Sequence, residues 1–268
     1  MPALKGRRVA LSDGMIAVLN MIPGSLAARF RNGALVTRAL RPLVNRLLPG
    51  RAAWIVVRSG PARGLRLLIE PKTEKFYWTG AHEVAVQQTI ADLLKPGMTF
   101  WDVGAHIGFF SLLASRRVGA RGRVHAFEPM AQNRARLEAA IAANGLTNVT
   151  VHELALGRVG GDALLYPHES SLMWTLCPEP GRPGGVTVRC RSLDEVAESA
   201  GSPDLIKVDA EGAEVDVLRG GLRLLSRLRP PLVVEFSSDA VVADARALVP
   251  FYTFSRLGPH HWLLAARL

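Results

Sequence analysis

The sequence predicts an α/β domain, a mostly parallel, doubly wound sheet of Rossmann-like type. Three observations carry this. Met98–Glu128 reads as strand, glycine turn, helix and strand, the first βαβ unit of a parallel sheet. Asp204–Glu214 reads as a buried strand that emerges into acids ahead of a helix. Elsewhere from residue 82 onward, short apolar strand patterns alternate with helical ones.

The 268 residues suffice for one large α/β domain with an N-terminal extension. A hydrophobic content of 49% with 21% charged residues is that of a globular protein and excludes a disordered chain. Cys177 and Cys190 are the only cysteines, which excludes a disulfide scaffold and a cysteine-rich zinc site. A reducing, cytoplasmic compartment is therefore expected. Val9–Met21 is apolar but broken by Ser12, Asp13, Gly14 and Asn20, so neither a signal peptide nor a bilayer span is expected. The formal net charge of +10 is concentrated at the start of the chain. Lys5, Arg7, Arg8, Arg29, Arg31, Arg38, Arg41, Arg46, Arg51 and Arg58 face only Asp13 there. Such an arm suits an anionic membrane, a nucleic acid or an acidic substrate, or is simply a solvated surface.

In order, Leu35–Leu48 has helical apolar spacing that Pro42 turns into two short helices or a kink; its stripe is expected to pack on the domain or, because the opposite face is basic, to lie in a membrane interface. Trp54–Val57 and Leu65–Ile69 flank a Gly-Pro turn and predict a hairpin. Pro71–Gly80 reads as an irregular connection, and His82–Leu94 as a helix ended by Lys95-Pro96-Gly97. Thr99–Val103, Phe109–Ser115 and Arg123–Phe127 make the central unit. Ala131–Asn144 is helical and Val149–Glu153 a strand. Gly157–Gly185 reads as an insertion, a loop or hairpin over the site. Val186–Cys190 resumes as a strand, and Ser192–Glu195 is a capping box. Then come strand Asp204–Asp209, helix Glu214–Leu228, strand Leu232–Phe236 and helix Ala240–Leu248. Phe251–Arg256 and His261–Ala266 pair as a hairpin around Gly258.

The glycine spacing bears on the cofactor. Dinucleotide sites use G-x-G-x-x-G to seat a pyrophosphate on a helix N-terminus. Here the turn is Asp102-Val-Gly104-Ala105-His106-Ile-Gly108. A carboxylate before the turn opposes a pyrophosphate and suits a cationic ligand bearing an amino acid, as S-adenosylmethionine (SAM) is. Glu128, ~20 residues on, stands where an acid binds ribose hydroxyls. In the second stretch Asp209, Glu211 and Lys207 converge on the same crevice, while Glu214 also suits the helix N-terminus. Transfer of a methyl to an alcohol needs a base, and Asp209, Glu211, His260 or His261 could serve. Magnesium on Asp209 and Glu235 is the alternative activator, and a metal-free site is expected. Adjacent strand residues face opposite ways, so at most one of His260 and His261 reaches the site.

DVGAHIGFFSLLA, HAFEP with a downstream asparagine, SLDE, DLIKVDAEGAE with VLRGG, and PLVVEFS together resemble FkbM-type SAM-dependent methyltransferases. The resemblance runs in register from Thr79 to the C-terminus. It implies a class I methyltransferase domain over 79–268, with a seven-stranded sheet and a final antiparallel hairpin, behind a basic extension of helices and a hairpin over 1–78. It implies O-methylation of a hydroxyl on a carbohydrate-containing molecule, a glycolipid or a secondary metabolite. It also implies cofactor contacts from Glu83, Asp102, Gly104, Ala105, His106, Gly108, Glu128 and Asp209. His106 stands where the family often has asparagine. The alternatives are an RNA methyltransferase, favoured by charge but without an RNA-binding module, and a non-catalytic SAM-binding protein.

Overall fold

The structure, a computed structural model, describes residues 50–167, 174–175 and 185–267. The expected helical stretch Leu35–Leu48, Cys177 and most of the basic arm lie outside them.

Strands β1 (Ala53–Val56) and β2 (Arg66–Ile69) form the antiparallel hairpin expected around Gly60–Gly64. Helices α1 (Lys75–Thr79) and α2 (Val84–Leu93) follow. The Pro71–Gly80 expectation is corrected here. Five of its residues are helical, closed by Gly80 in the left-handed region, and Tyr77 and Trp78 are buried. Sequence periodicity does not reveal a helix of little more than one turn.

The central unit is β3 (Thr99–Val103), α3 (Phe109–Val118) and β4 (Arg123–Phe127). Next come α4 (Ala131–Ala143) and β5 (Val149–His152). Of the expected insertion Gly157–Gly185, residues 168–173 and 176–184 lie outside the described residues; its described strands β7 (Gly161–Pro167) and β8 (Trp174–Thr175) join the flanking β6 (Ala155–Leu156) and β9 (Val186–Arg191) in a small sheet of order β6-β9-β7-β8. The chain then forms α5 (Leu193–Ala200), opened by the Ser192–Glu195 capping box, and β10 (Leu205–Val208). The expected single helix Glu214–Leu228 is two, α6 (Glu214–Arg219) and α7 (Leu222–Leu228). The break falls at Gly220-Gly221, where a Cβ on Gly220 would stand 2.1 Å from the Gly157 carbonyl oxygen. Strand β11 (Leu232–Glu235), helix α8 (Asp239–Leu248) and the hairpin β12 (Tyr252–Arg256) and β13 (His261–Ala266) complete the chain.

The main sheet has seven strands in the order β12-β13-β11-β10-β3-β4-β5, parallel except for β13. Alternation along the strands divides the core. Phe100, Val124, Leu205 and Val233 pack with α2, α3, α4 and the β1–β2 hairpin. Trp101, Phe127, Ile206 and Val234 pack with α5 through α8. Fully burying each such aliphatic or aromatic side chain contributes about 1.5–3 kcal/mol before entropy is counted. From β3 the chain steps one way to β4 and β5, then returns to β10 and β11 on the other side. The crevice at this reversal, outside the C-terminal strand ends, is where such sheets bind ligands. Among the described residues, no helix is long and apolar enough to cross a membrane.

Candidate active site

A cavity of about 660 Å³ opens at that reversal. The turn after β3 forms one wall. The Gly104 and Ala105 amides both donate to the Phe127 carbonyl, at 3.1 and 3.0 Å, which holds the turn against the end of β4. Gly104 has φ +75°, and a Cβ there would lie 1.8 Å from the Asp209 carbonyl oxygen. Its missing side chain is thus required first by the neighbouring strand end. Gly108 has φ +88° and is crowded by Leu137 at 2.1 Å. Gly104, Ala105 and His106 line the cavity; Gly108 stands behind it.

Glu128 directly follows β4, buried and facing the cavity. Its carboxylate accepts from the His106 amide at 2.8 Å, the Met130 amide at 3.0 Å and the Asn133 side chain at 3.2 Å. Burial raises its pKa, and these donors oppose the rise. These donors occupy three of the carboxylate's roughly four lone-pair sites, two on Oε1 and one on Oε2, and leave one on Oε2 for a ribose hydroxyl.

Asp102 does not line the cavity. In register it lies opposite Lys207 on the adjacent strand, and both point beneath α3. It accepts from the Ser111 hydroxyl at 2.5 Å and sits 3.9 Å from the Lys207 ammonium. Burial raises its pKa against that cation. Lys207 reaches on to Asp209, 3.0 Å away, and lies over the Phe110 ring. Burial disfavours its charge, but Asp209, Asp102 and Glu83 outweigh that and raise its pKa. For Asp209 burial acts upward, and the Lys207 ammonium more than offsets it, so the carboxyl stays below its ordinary range.

Glu211 has the opposite fate. Burial, then the charges of Asp209, Glu235 and Glu214, push it up to about 8. Glu214 does not line the cavity. It accepts from the Ala210 and Gly212 amides and so fixes the loop carrying Glu211. Glu235 and His261 are cross-strand partners at the sheet end. His261 Nε2 lies 3.1 Å from Glu83 and 3.6 Å from Glu235. Burial disfavours its charge, yet the two carboxylates raise its pKa to about 9. His261 is thus an imidazolium at neutral pH and stands behind the lining, while His260 is exposed. Glu83, Glu235 and His261 have ligand atoms close enough together to hold a metal ion, a set different from the Asp209–Glu235 pair expected for magnesium.

The sequence reading missed α1. It carries Tyr77 and Phe76 to the cavity, where Phe76, Tyr77, His82, Phe109 and Phe110 form a continuous aromatic wall. It also missed Glu74, buried in a bidentate pair with Arg136 of α4. One signal is conformational. Glu83, His106 and Glu211 have φ of +43°, +49° and +49°, and all three line the cavity. Non-glycine residues held there concentrate at functional sites.

The sequence profile of the methyltransferase FkbM domain matches residues 102–255, more than half of the chain. The chain belongs to the FkbM methyltransferase family. Among solved structures, the FkbM methyltransferase of Methylobacillus flagellatus KT is 18% identical, with a TM-score of 0.47 over 71% of this chain and 52% of that one. This chain therefore spans about half the length of the Methylobacillus protein. An rRNA methylase from Streptococcus thermophilus is 13% identical, with a TM-score of 0.44 over 69% of this chain and 96% of that one. Fibrillarin from Aeropyrum pernix, solved with natively bound S-adenosyl-L-methionine, is 13% identical, with a TM-score of 0.42 over 65% and 68%. No curated protein sequence matches this chain.

SAM is the cofactor of this FkbM methyltransferase, and the residues present fit it. Glu128 keeps an acceptor site for a ribose hydroxyl, the Asp209 carboxylate suits a cation, and the buried His106 Nε2 lacks a hydrogen-bond partner. Glu74, Glu83, Glu128, Asp209, Glu211 and Glu235 all line the cavity, which suits a ligand without phosphate.

Proposed function

We propose that this FkbM methyltransferase is an O-methyltransferase acting on a hydroxyl of a carbohydrate-containing molecule, a glycolipid or a secondary metabolite. The observation that carries this is the pair of carboxylates after β10, one held ionised and the other near neutrality. When bound, SAM supplies an electrophilic methyl on a sulfonium. Glu211, with a pKa of about 8, has the basicity to take a hydroxyl proton as the oxygen attacks. Asp209, kept ionised by its pair with Lys207, is the poorer base and offers a carboxylate at the end of β10 for a cationic cofactor. The His261 imidazolium, in this reading, holds Glu83 and Glu235 in place.

The acidic lining opposes a phosphodiester backbone, which weakens the RNA reading despite the basic arm. The proposed setting is cytoplasmic. There residues 26–51, basic beside an apolar stripe, bring the enzyme to an anionic membrane or substrate. Calorimetry with SAM, followed by methyl transfer from labelled SAM into sugar, glycolipid and RNA extracts, tests the reading. Label in sugar or glycolipid hydroxyls supports it; label confined to RNA, or none with SAM bound, overturns it.

A further inference from the structure

Tyr77 and His106 make an arrangement that the proton-transfer chemistry does not use. His106 lies in the turn after β3, Tyr77 on α1, and both face the cavity. The Tyr77 hydroxyl is 3.5 Å from His106 Nδ1, a long contact. His106 Nε2 is buried without a hydrogen-bond partner. Its nearest acid is Glu74, 3.9 Å away, beyond hydrogen-bond range. Glu74 is itself occupied by Arg136 and by the Glu70 amide at 2.6 Å.

Burial and the charges of Glu74 and Glu83 raise the Tyr77 pKa well above the ordinary phenol value, so its proton stays on oxygen. If Tyr77 donates to Nδ1, the imidazole proton is left on Nε2. Burial and Arg136 lower the His106 pKa to about 4, so this donor is uncharged across the physiological range. An unpartnered side-chain N–H in this cavity matters because much of the remaining polar lining is carboxylate, and the His82 imidazole lies 3.2 Å from Glu83. Lys207 is taken by Asp209 and the Asn133 amide by Glu128. SAM carries one negative group, its amino-acid carboxylate, and that group must find donors here.

Resting on the assignment of SAM to this cavity, we propose that His106 Nε2–H binds the cofactor's amino-acid carboxylate and that Tyr77 is the positioning residue that sets its tautomer.

The test is direct binding, measured by calorimetry with SAM, S-adenosylhomocysteine and decarboxylated SAM, which lacks only the carboxylate. The proteins are the full chain, His106→Ala, His106→Gln and Tyr77→Phe, each checked for native circular dichroism. His106→Ala is expected to weaken SAM and S-adenosylhomocysteine by ~10–100-fold, the range for a hydrogen bond to a charged group, and to leave decarboxylated SAM within about twofold. Tyr77→Phe should show the same selectivity with a smaller loss. His106→Gln, which keeps an N–H, should recover part of the affinity for SAM. An equal loss for SAM and decarboxylated SAM would place His106 elsewhere on the cofactor and overturn the proposal, as would unchanged SAM affinity in folded His106→Ala. A wild-type chain that binds neither SAM nor S-adenosylhomocysteine would instead overturn the placement of the cofactor itself.

Discussion

At the scale of single residues, the two acids after β10 differ in charge because their surroundings differ, and the proposed division of work rests on that difference. Asp209 has a cation at 3.0 Å, whereas Glu211 has burial and three carboxylates around it. In the free enzyme kcat/KM should therefore rise with pH through about 8, as Glu211 ionises. Glu211→Gln should remove that limb and lower kcat by ~10²–10⁴ with SAM affinity retained; an unchanged pH profile would show that another group is the base. Stability moves the other way. The folded chain holds a proton on Glu211 from its unfolded pKa, near 4.5, up to about 8, so stability falls as pH rises through that window. Denaturant midpoints should show Glu211→Gln gaining on the wild type between pH 5 and pH 9. Gly104→Ala should cost at least about 2 kcal/mol, because its Cβ meets the Asp209 carbonyl and its φ is positive. Urea unfolding measures this, and a neutral result would mean that the two strand ends can separate.

At the scale of elements, ion pairs join segments far apart in sequence. Arg136 of α4 binds Glu74 and the Leu68 carbonyl, tying the start of α1 and the β1–β2 hairpin to α4. Arg136→Met would leave a buried carboxylate unpaired and should cost about 3–5 kcal/mol, read from the urea midpoint. The joint variant with Glu74→Gln should recover much of that loss. Across the site, His261 of β13 bridges Glu235 of β11 and Glu83 ahead of α2. Its folded pKa of about 9 exceeds the ordinary histidine value, so its stabilisation is complete below about 6.5 and is lost as pH rises through about 9. The melting-temperature difference between wild type and His261→Asn should shrink from pH 6 to pH 10. A difference that stays constant would show that His261 contributes packing alone.

At the scale of the whole molecule, charge is partitioned. A chain with a formal net charge of +10 lines its cavity with six carboxylates, and much of its positive charge lies in the first sixty residues. The arm then suits attraction to an anionic surface, while the cavity suits a cationic cofactor and an uncharged acceptor. Full-length protein should bind vesicles containing phosphatidylserine at low salt and release them as salt is raised. Removal of residues 1–49 should abolish that binding and leave the SAM dissociation constant unchanged. Failure of the full chain to bind at low salt would remove the membrane reading.

The sequence by itself determined the sheet, the crevice and the family. Buried parallel strands carry long apolar runs, and Asp102–Gly108 and Lys207–Glu214 are local signatures readable without any contact. Those signals placed Glu128, Asp209 and Glu211 at strand ends, where the structure finds them. Only the tertiary structure decided which contacts and charges surround these groups. That Asp102 faces Lys207 beneath α3 depends on the register between two strands about a hundred residues apart. Whether Asp209 or Glu211 holds a proton depends on which charges fold around each of them. The helix carrying Tyr77 to His106 is too short for any periodicity to announce it. Local pattern specifies elements because it is set by neighbours in the chain; protonation states and tautomers are set by neighbours in space.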